Sequence, residues 1–265
     1  MENYVLLKPA LKRIFNHIIF VLIAGFAGIT ILHAQNQAIL EPQLMYRKQL
    51  QFGINMNSTG IGGLNFRKGW HKTDQVKNIL DIELARVRDP KETRVYGASE
   101  NPQRYTYDRI NMAFFLRTGV GRSIRITERS YKNAISLYFN YNVGFTTAIL
   151  KPIYIDYLVI EYDNNGLGNS YVTQVRYNPA IHTNPQNILG NSSFFYNISN
   201  STMKLGGYGR GSLSVQFGQY PEEFHLIEAG CTLDFFPNPL PLMANRPERS
   251  LFFVLFIGYT FGLNK

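Results

Sequence analysis

The chain has 265 residues, 45% of them hydrophobic, with 19 Phe, 17 Tyr and a formal charge of +9. That length suits one domain, and the single cysteine, Cys231, excludes an internal disulfide. The basic surplus favours anionic partners, but no run of five or more basic residues with interleaved aromatics supports a nucleic-acid groove.

The first segment reads as an export signal. Lys8, Lys12 and Arg13 precede an apolar run over 14–32, which ends in Leu32-His33-Ala34. A basic start, an apolar stretch and a small residue at the cut are the parts a signal peptidase reads. The alternative, a membrane anchor, fits less well because polar Gln35-Asn36-Gln37 follows without stop-transfer charges. No cysteine sits at the cut, so lipid attachment there is excluded. The expected organisation is a cleaved signal at 1–34 and one domain at 35–265. Losing Lys8, Lys12, Arg13 and Glu2 lowers the formal charge to about +7.

Beyond the signal no stretch of 18 apolar residues remains, which excludes membrane-spanning helices. Two-residue alternation recurs instead. Leu50, Phe52, Ile54 and Met56 alternate with Gln49, Gln51, Gly53 and Asn55, and Asn57-Ser58-Thr59-Gly60 then makes a tight turn. Next, Leu64 and Phe66 face away from Asn65 and Arg67 in a segment ending at Trp70. Leu80, Ile82 and Leu84 oppose Asp81 and Glu83. Met112, Phe114, Leu116 and Val120 oppose Arg117 and Gly119.

The fifth segment is the longest clean run, with Ile135, Leu137, Phe139, Tyr141, Val143 and Phe145 on one face. Three more centre on Leu213-Val215-Phe217, on 227–235, and on 251–261. Cys231 falls on the apolar side of its strand. Spacing at i, i+2, i+4 rejects helices, and the segment lengths match the about 9–11 residues of a tilted membrane strand.

The predicted fold is therefore all-β: a closed antiparallel transmembrane barrel in an outer membrane. With both termini in the periplasm, eight strands place the turn near Asn57 and the stretches 89–107, 148–205 and 236–250 outside. The stretches 71–78, 122–133 and 218–223 then lie inside. The stretch 148–205 is an extracellular excursion in which 153–161 and 171–177 flank the hairpin signal Asp163-Asn164-Asn165-Gly166. Eight wall strands plus a protruding hairpin is the favoured count, because Lys151-Pro152 would interrupt a central ladder; ten wall strands is the alternative. Residues 178–201 read as a loop.

Turning the apolar faces outward leaves a charged interior. Arg67, Arg117 and Arg210 meet Asp81, Glu83, Glu228 and Asp234, among Gln49, Gln51, Asn55, Asn65, Asn140, Asn142, Ser212, Ser214 and Gln216. An eight-stranded barrel has room only for its own side chains, so these charges are expected to pair into a lumen network. Inward Phe252, Val254 and Phe256 predict an occluded outer end.

Chemistry is sparse. His71, His182 and His225 sit in separate segments with no metal-ligand spacing, so no metal and no cofactor are expected. His225 and Glu228 fall on opposite strand faces, and His182 shares a loop with Ser192 and Ser193. The glycines of 206–211 follow no nucleotide-cradle pattern and are expected to permit a bend or bulge. Arg67, Lys68, Trp70, His71 and Lys72 form the densest basic-aromatic cluster, read as a periplasmic-side membrane-interface anchor or a partner-docking surface.

That cluster occurs with Asp89-Pro90-Lys91-Glu92, Leu116-Arg117-Thr118-Gly119-Val120-Gly121, Lys151-Pro152, Glu228-Ala229-Gly230, Asp234-Phe235-Phe236-Pro237 and Pro241-Leu242-Met243-Ala244. As a set, over about residues 45–262, these motifs resemble a family of small outer-membrane barrels of Bacteroidota. The resemblance implies a barrel with no assigned reaction and transfers no catalytic residue. Tyr259-Thr260-Phe261 is similar to the aromatic ending read by barrel-assembly machinery, but four residues follow it.

The functional expectation is a non-enzymatic outer-membrane barrel with a structural or partner-binding role, as in a subunit of an envelope or secretion assembly. Its expected partners are outer-membrane lipid, lipopolysaccharide, the assembly machinery and other envelope proteins, with no nucleic acid. The alternatives are a lipid-modifying enzyme and a narrow pore.

Overall fold

The computed structural model describes residues 48–73, 75–96, 104–127, 135–162, 168–182, 184–218 and 222–264. The expected signal at 1–34 and the turn at 163–166 lie outside the described residues. Thirteen strands follow one another in this part of the chain. They are β1 (Lys48–Asn57), β2 (Gly60–His71), β3 (Val76–Val87), β4 (Arg94–Tyr96), β5 (Arg104–Thr106), β6 (Asn111–Arg125) and β7 (Ser136–Pro152). Then come β8 (Tyr154–Tyr162), β9 (Gly168–Arg176), β10 (Ile188–Asn191), β11 (Thr202–Phe217), β12 (Glu223–Leu240) and β13 (Arg249–Asn264).

Eight of these close into one antiparallel barrel in the order β1-β13-β12-β11-β7-β6-β3-β2. Each contains one of the eight alternating segments. The alternation also sets the faces: Leu255 and Ile257 are more than half exposed outside, whereas Val254 and Phe256, which alternate with them, are buried. No helix among the described residues is long and apolar enough to cross a membrane.

The eight-strand count settles against ten, but the boundary moves. Lys151 and Pro152 belong to β7, opposite Met112 and Asn111 of β6. On the other side the ladder to β11 ends at Leu150 opposite Thr202. Pro152 therefore sits past the last rung that would need its missing N–H. The excursion leaving the wall is 153–201, and it is more ordered than a hairpin with a loop. β8 and β9 pair as expected, and β10 adds a third strand in the order β10-β8-β9. The stretch 89–107 holds a further small hairpin, β4 with β5.

Expected bulging at 206–211 is not found. β11 runs in continuous register with both β7 and β12 through those glycines. The bulge lies instead in β2, where Gly62, at φ +101°, is the extra residue between the pairs Asn55–Gly63 and Met56–Ile61. Only glycine adopts that conformation cheaply.

The described residues after Phe261, Gly262 to Asn264, have a structural place. β13 continues to Asn264, which pairs with Gln49 of β1 at the seam closing the barrel. Walls are unequal: β1, β2 and β3 have 10, 12 and 12 residues, whereas β7, β11, β12 and β13 have 17, 16, 18 and 16.

Gly119, Gly144 and Tyr208 occupy one rung across β6, β7 and β11. The Tyr208 hydroxyl fills the place of a Gly119 side chain, and a Cβ on Gly144 would be driven into the Thr118 carbonyl oxygen. The aromatic ring thus covers a strip of bare backbone. Gly144→Ala is expected to cost about 1–3 kcal/mol through overpacking. The urea midpoint for loss of the heat-modifiable gel species measures it, and an unchanged midpoint would refute the close-packed rung.

Candidate functional site

The barrel interior holds one continuous chain of ion pairs with alternating sign, running Glu228, Arg67, Asp81, Arg210, Glu83, Arg117, Asp234. Arg67 Nε donates to Asp81 at 2.8 Å, and its Nη1 donates to Glu228. Arg210 bridges Asp81, at 3.1 Å, and Glu83, and its Nε donates to Thr232. Arg117 grips Asp234 bidentately, at 2.9 and 2.7 Å, and reaches Glu83 at 2.8 Å. All seven side chains are buried.

Strand register builds this chain. Arg67 lies directly opposite Asp81 on β2 and β3, and Glu83 directly opposite Arg117 on β3 and β6. Opposite charges at such cross-strand positions lie within easy reach of each other. β12 contributes both ends, Glu228 and Asp234, about 20 Å apart along the strand. Neutral groups complete the valences: Asn55 donates to Glu83 at 2.6 Å and Ser212 donates to Glu228. Each carboxylate is held by at least one guanidinium, so none stands bare as a general base.

Past Asp234 the lumen turns apolar. Phe115 packs against Phe236 and Phe252, at ring separations of 5.0 and 5.3 Å, with Leu150, Leu240, Leu242 and Met243 around them. The connection 241–248 folds over this plug, with the Ile110 amide donating to the Leu242 carbonyl and the Ala244 amide to that of Asp108. Inward Phe252, Val254 and Phe256 foreshadowed the occlusion. The partners Ala113, Phe115 and Phe236 were missed, although parity along their strands already turned them inward. Toward Lys48 and Asn264 the lumen stays polar, forming a recess lined by Gln49, Gln51, Lys77, Tyr138, Asn140 and Gln216.

The 67–72 cluster is divided by the pleat. Arg67 points into the lumen network, while Lys68 and Trp70 point outward, the Lys68 ammonium lying 5.5 Å from the indole centroid. His71 is half-buried and Lys72 exposed in the turn that follows. Of the cluster, half-buried Lys68 and exposed Trp70 lie on the outer wall and Lys72 is exposed beyond it.

At the end opposite Lys48 and Asn264, called here the loop end, β8, β9 and β10 form a platform with its own core. Ile153, Ile155, Tyr177 and Ile188 pack there with Tyr105 from β5. His182 stacks on Tyr177 and lies 4.8 Å from the Tyr157 ring, and its Nδ1 accepts the Asn178 amide at 3.0 Å. Ser192 donates to Asp156. The histidine and the serine thus have separate partners. His225 stacks outside the barrel with Tyr259 and Phe217, while Glu228 is inside. Among the described residues no group of three or more His, Cys, Asp and Glu is placed to hold a metal.

No family model matches this chain, and no curated protein does. Three solved structures align with 83% of it. One is Neisserial surface protein A, at 8% identity and a TM-score of 0.39, with 97% of that chain covered. Another is the N-terminal β-barrel domain of Pseudomonas aeruginosa OprF, at 9% and 0.38, fully covered. The third is Ail, the attachment invasion locus protein of Yersinia pestis, in complex with the heparin analogue sucrose octasulfate, at 10% and 0.31, with 98% covered.

Arg117→Met strips Asp234 of its bidentate partner and leaves a buried charge uncompensated, so a loss of about 3–5 kcal/mol is expected. Adding Asp234→Leu should restore much of it. Urea titration of the refolded barrel reads both, and equal damage in single and double variants would count against the pairing.

Burial holds the His182 imidazole below its ordinary value of 6.5, and the bond from Asn178 uses the lone pair a proton would take. Below about pH 6.5 the unfolded segment binds protons more readily than the folded one, so platform stability falls with falling pH and is level above neutrality. Amide exchange in β8 and β9, corrected for intrinsic rates, should quicken a few-fold from pH 7.5 to 5. His182→Gln should remove the difference; equal protection of the wild type at both pH values would refute it.

Proposed function

We propose that this chain is an integral outer-membrane barrel, non-enzymatic, which acts as a structural or partner-binding component of an envelope or secretion assembly through its loop end. The observation carrying this reading is the band of exposed apolar side chains on the outer wall. Phe52, Ile54, Leu64, Leu84, Val120, Val143, Leu213, Leu233 and Leu255 all stand exposed on outward faces of wall strands. An apolar belt around a closed barrel is stable in hydrocarbon and a large liability in water.

Placing the loop end outside follows from connection length. Only four residues separate β2 from β3, whereas 88–110, 153–201 and 241–248 all leave from the other end. Long connections face outward in barrels of this type. Because plug and ion pairs fill the lumen, no transport step is assigned to it. Contact with a partner then falls to the platform, where β9 is an edge strand that, among the described residues, pairs only with β8. Tyr171 and Val172 are exposed on it. A strand edge with free backbone groups accepts a strand from another protein. The remaining expected partners are outer-membrane lipid and lipopolysaccharide around the belt, and assembly machinery reading β13.

The expected results are retention in the membrane fraction after carbonate washing and no conductance steps in planar bilayers. A photo-reactive residue at Tyr171 or Val172 should capture an envelope protein in cells. Recovery of the processed chain in the aqueous fraction without detergent would overturn the membrane reading, and steady conductance would overturn the sealed lumen.

A further inference from the structure

The outward stripe of β3 changes chemistry at its loop end. Leu80, Ile82 and Leu84 are followed, on the same outward parity, by Arg86 and Arg88. This switch occurs over the short walls: the Arg88 amide donates to the Thr59 carbonyl, in the tight turn joining β1 to β2, at 2.9 Å. Beside it, Arg86 reaches the Met112 sulfur on the outward face of β6 at 4.0 Å. Aliphatic side chains end and guanidinium groups begin at the rim where hydrocarbon would give way to headgroups.

Two more arginines join them. Arg109 pairs with Glu92, two residues before Arg94 of β4, and the charges of Arg94, Arg109 and Arg88 all bear on Arg86. Glu92 is the carboxylate within this group, and Arg109 holds it at 3.0 Å. Asp89, next along the chain, is engaged by Arg246 and Arg249 at 3.4 and 3.5 Å. Of the guanidinium groups of Arg86, Arg88, Arg94 and Arg109, only that of Arg109 is shown in an ion pair with Glu92. The Nε atoms of Arg88 and Arg109 are buried with no hydrogen-bond partner among the described residues. Burial holds the Arg109 guanidinium below its ordinary value, and the like charges of Arg88 and Arg94 add to this against Glu92.

Such an arrangement is costly as it stands and is relieved by an anion with several acceptor oxygens. We propose that Arg86, Arg88 and Arg94, backed by Arg109, bind the phosphate of an outer-leaflet glycolipid headgroup whose acyl chains lie along the stripe through Leu84. The rim position selects a lipid over a free anion, because the same outward face supplies the apolar surface directly beneath the charges. This site rests on the membrane placement proposed above.

The test uses the full chain in detergent micelles and native mass spectrometry with three probes: diphosphoryl lipid A, the same lipid dephosphorylated, and inorganic phosphate. Wild type should retain the phosphorylated lipid at least about tenfold more tightly than the dephosphorylated one, and inorganic phosphate should not displace it. The variant carrying Arg86→Gln, Arg88→Gln and Arg94→Gln should lose that preference while keeping the heat-modifiable gel shift, since Arg109 and its pair with Glu92 are retained. Equal retention of the two lipids, or an unaltered preference in the triple variant, overturns the site. Displacement by inorganic phosphate also overturns it, in favour of a free-anion pocket. Liposome insertion of the wild type is scored separately: failure there defeats the membrane placement, whereas normal insertion without phosphate preference defeats this site alone.

Discussion

Seven ionised side chains share a lumen wide enough only for side chains. Each ion taken from water costs several kcal/mol, and only good pairing geometry offsets the penalty. Here the pairing has a definite order, with carboxylates at both ends of the chain and on either side of every arginine. That order depends on the relative register of β2, β3, β6, β11 and β12. A slip by one residue would turn every inward side chain of that strand outward. For β3 this means Asp81 and Glu83 on the apolar exterior and Ile82 and Leu84 among stranded arginines. The network penalises wrong registers more severely than it rewards the right one.

The network also divides the molecule. On its terminal side the lumen is lined by amides and hydroxyls, and on its loop side by the Phe115, Phe236 and Phe252 cluster. Arg117 stands at the border, paired with Asp234 while lying 5.6 Å from the Phe115 ring. Arg210 likewise lies 4.7 Å from the Phe256 ring. Guanidinium suits this position because its planar face tolerates aromatic contact while its edge donates to carboxylates. The lumen is thus closed on its loop side and keeps a polar recess on the other.

The wall was legible in the sequence because one period, two residues, dictates both secondary structure and face. Arg67, Asp81, Glu83, Arg117, Arg210, Glu228 and Asp234 could be assigned to the interior by parity alone. Which arginine meets which carboxylate was not legible, since that depends on register between strands distant in sequence, such as Arg67 with Glu228. The cluster at 67–72 shows the opposite error: a run of neighbouring cations looks like one patch, but the pleat sends Arg67 inward and Lys68 outward. β10 and the β4–β5 hairpin escaped notice because strands of four and three residues are too short to show a period. They are held by tertiary contacts, Ile188 in the platform core and Tyr105 beside it.

Barrel closure by itself does not require the platform. Loop-closure entropy rises only slowly with length, so an unstructured connection between β7 and β11 would join the walls at little extra cost. Ordering a residue, in contrast, costs roughly 1–2 kcal/mol of backbone entropy. The segment 153–201 meets that cost with a separate core, with Asn197 and Asn200 both donating to the Tyr154 hydroxyl at 3.0 Å, and with the aromatic packing around His182. It remains tied to the wall, since Tyr177 bonds back to Ile153 at the end of β7 and Phe194 packs on Phe114 of β6. A rigid sheet fixed to the wall therefore holds the β9 edge at one height and one angle above the barrel. A held edge of this kind is what the partner contact proposed for β9 requires.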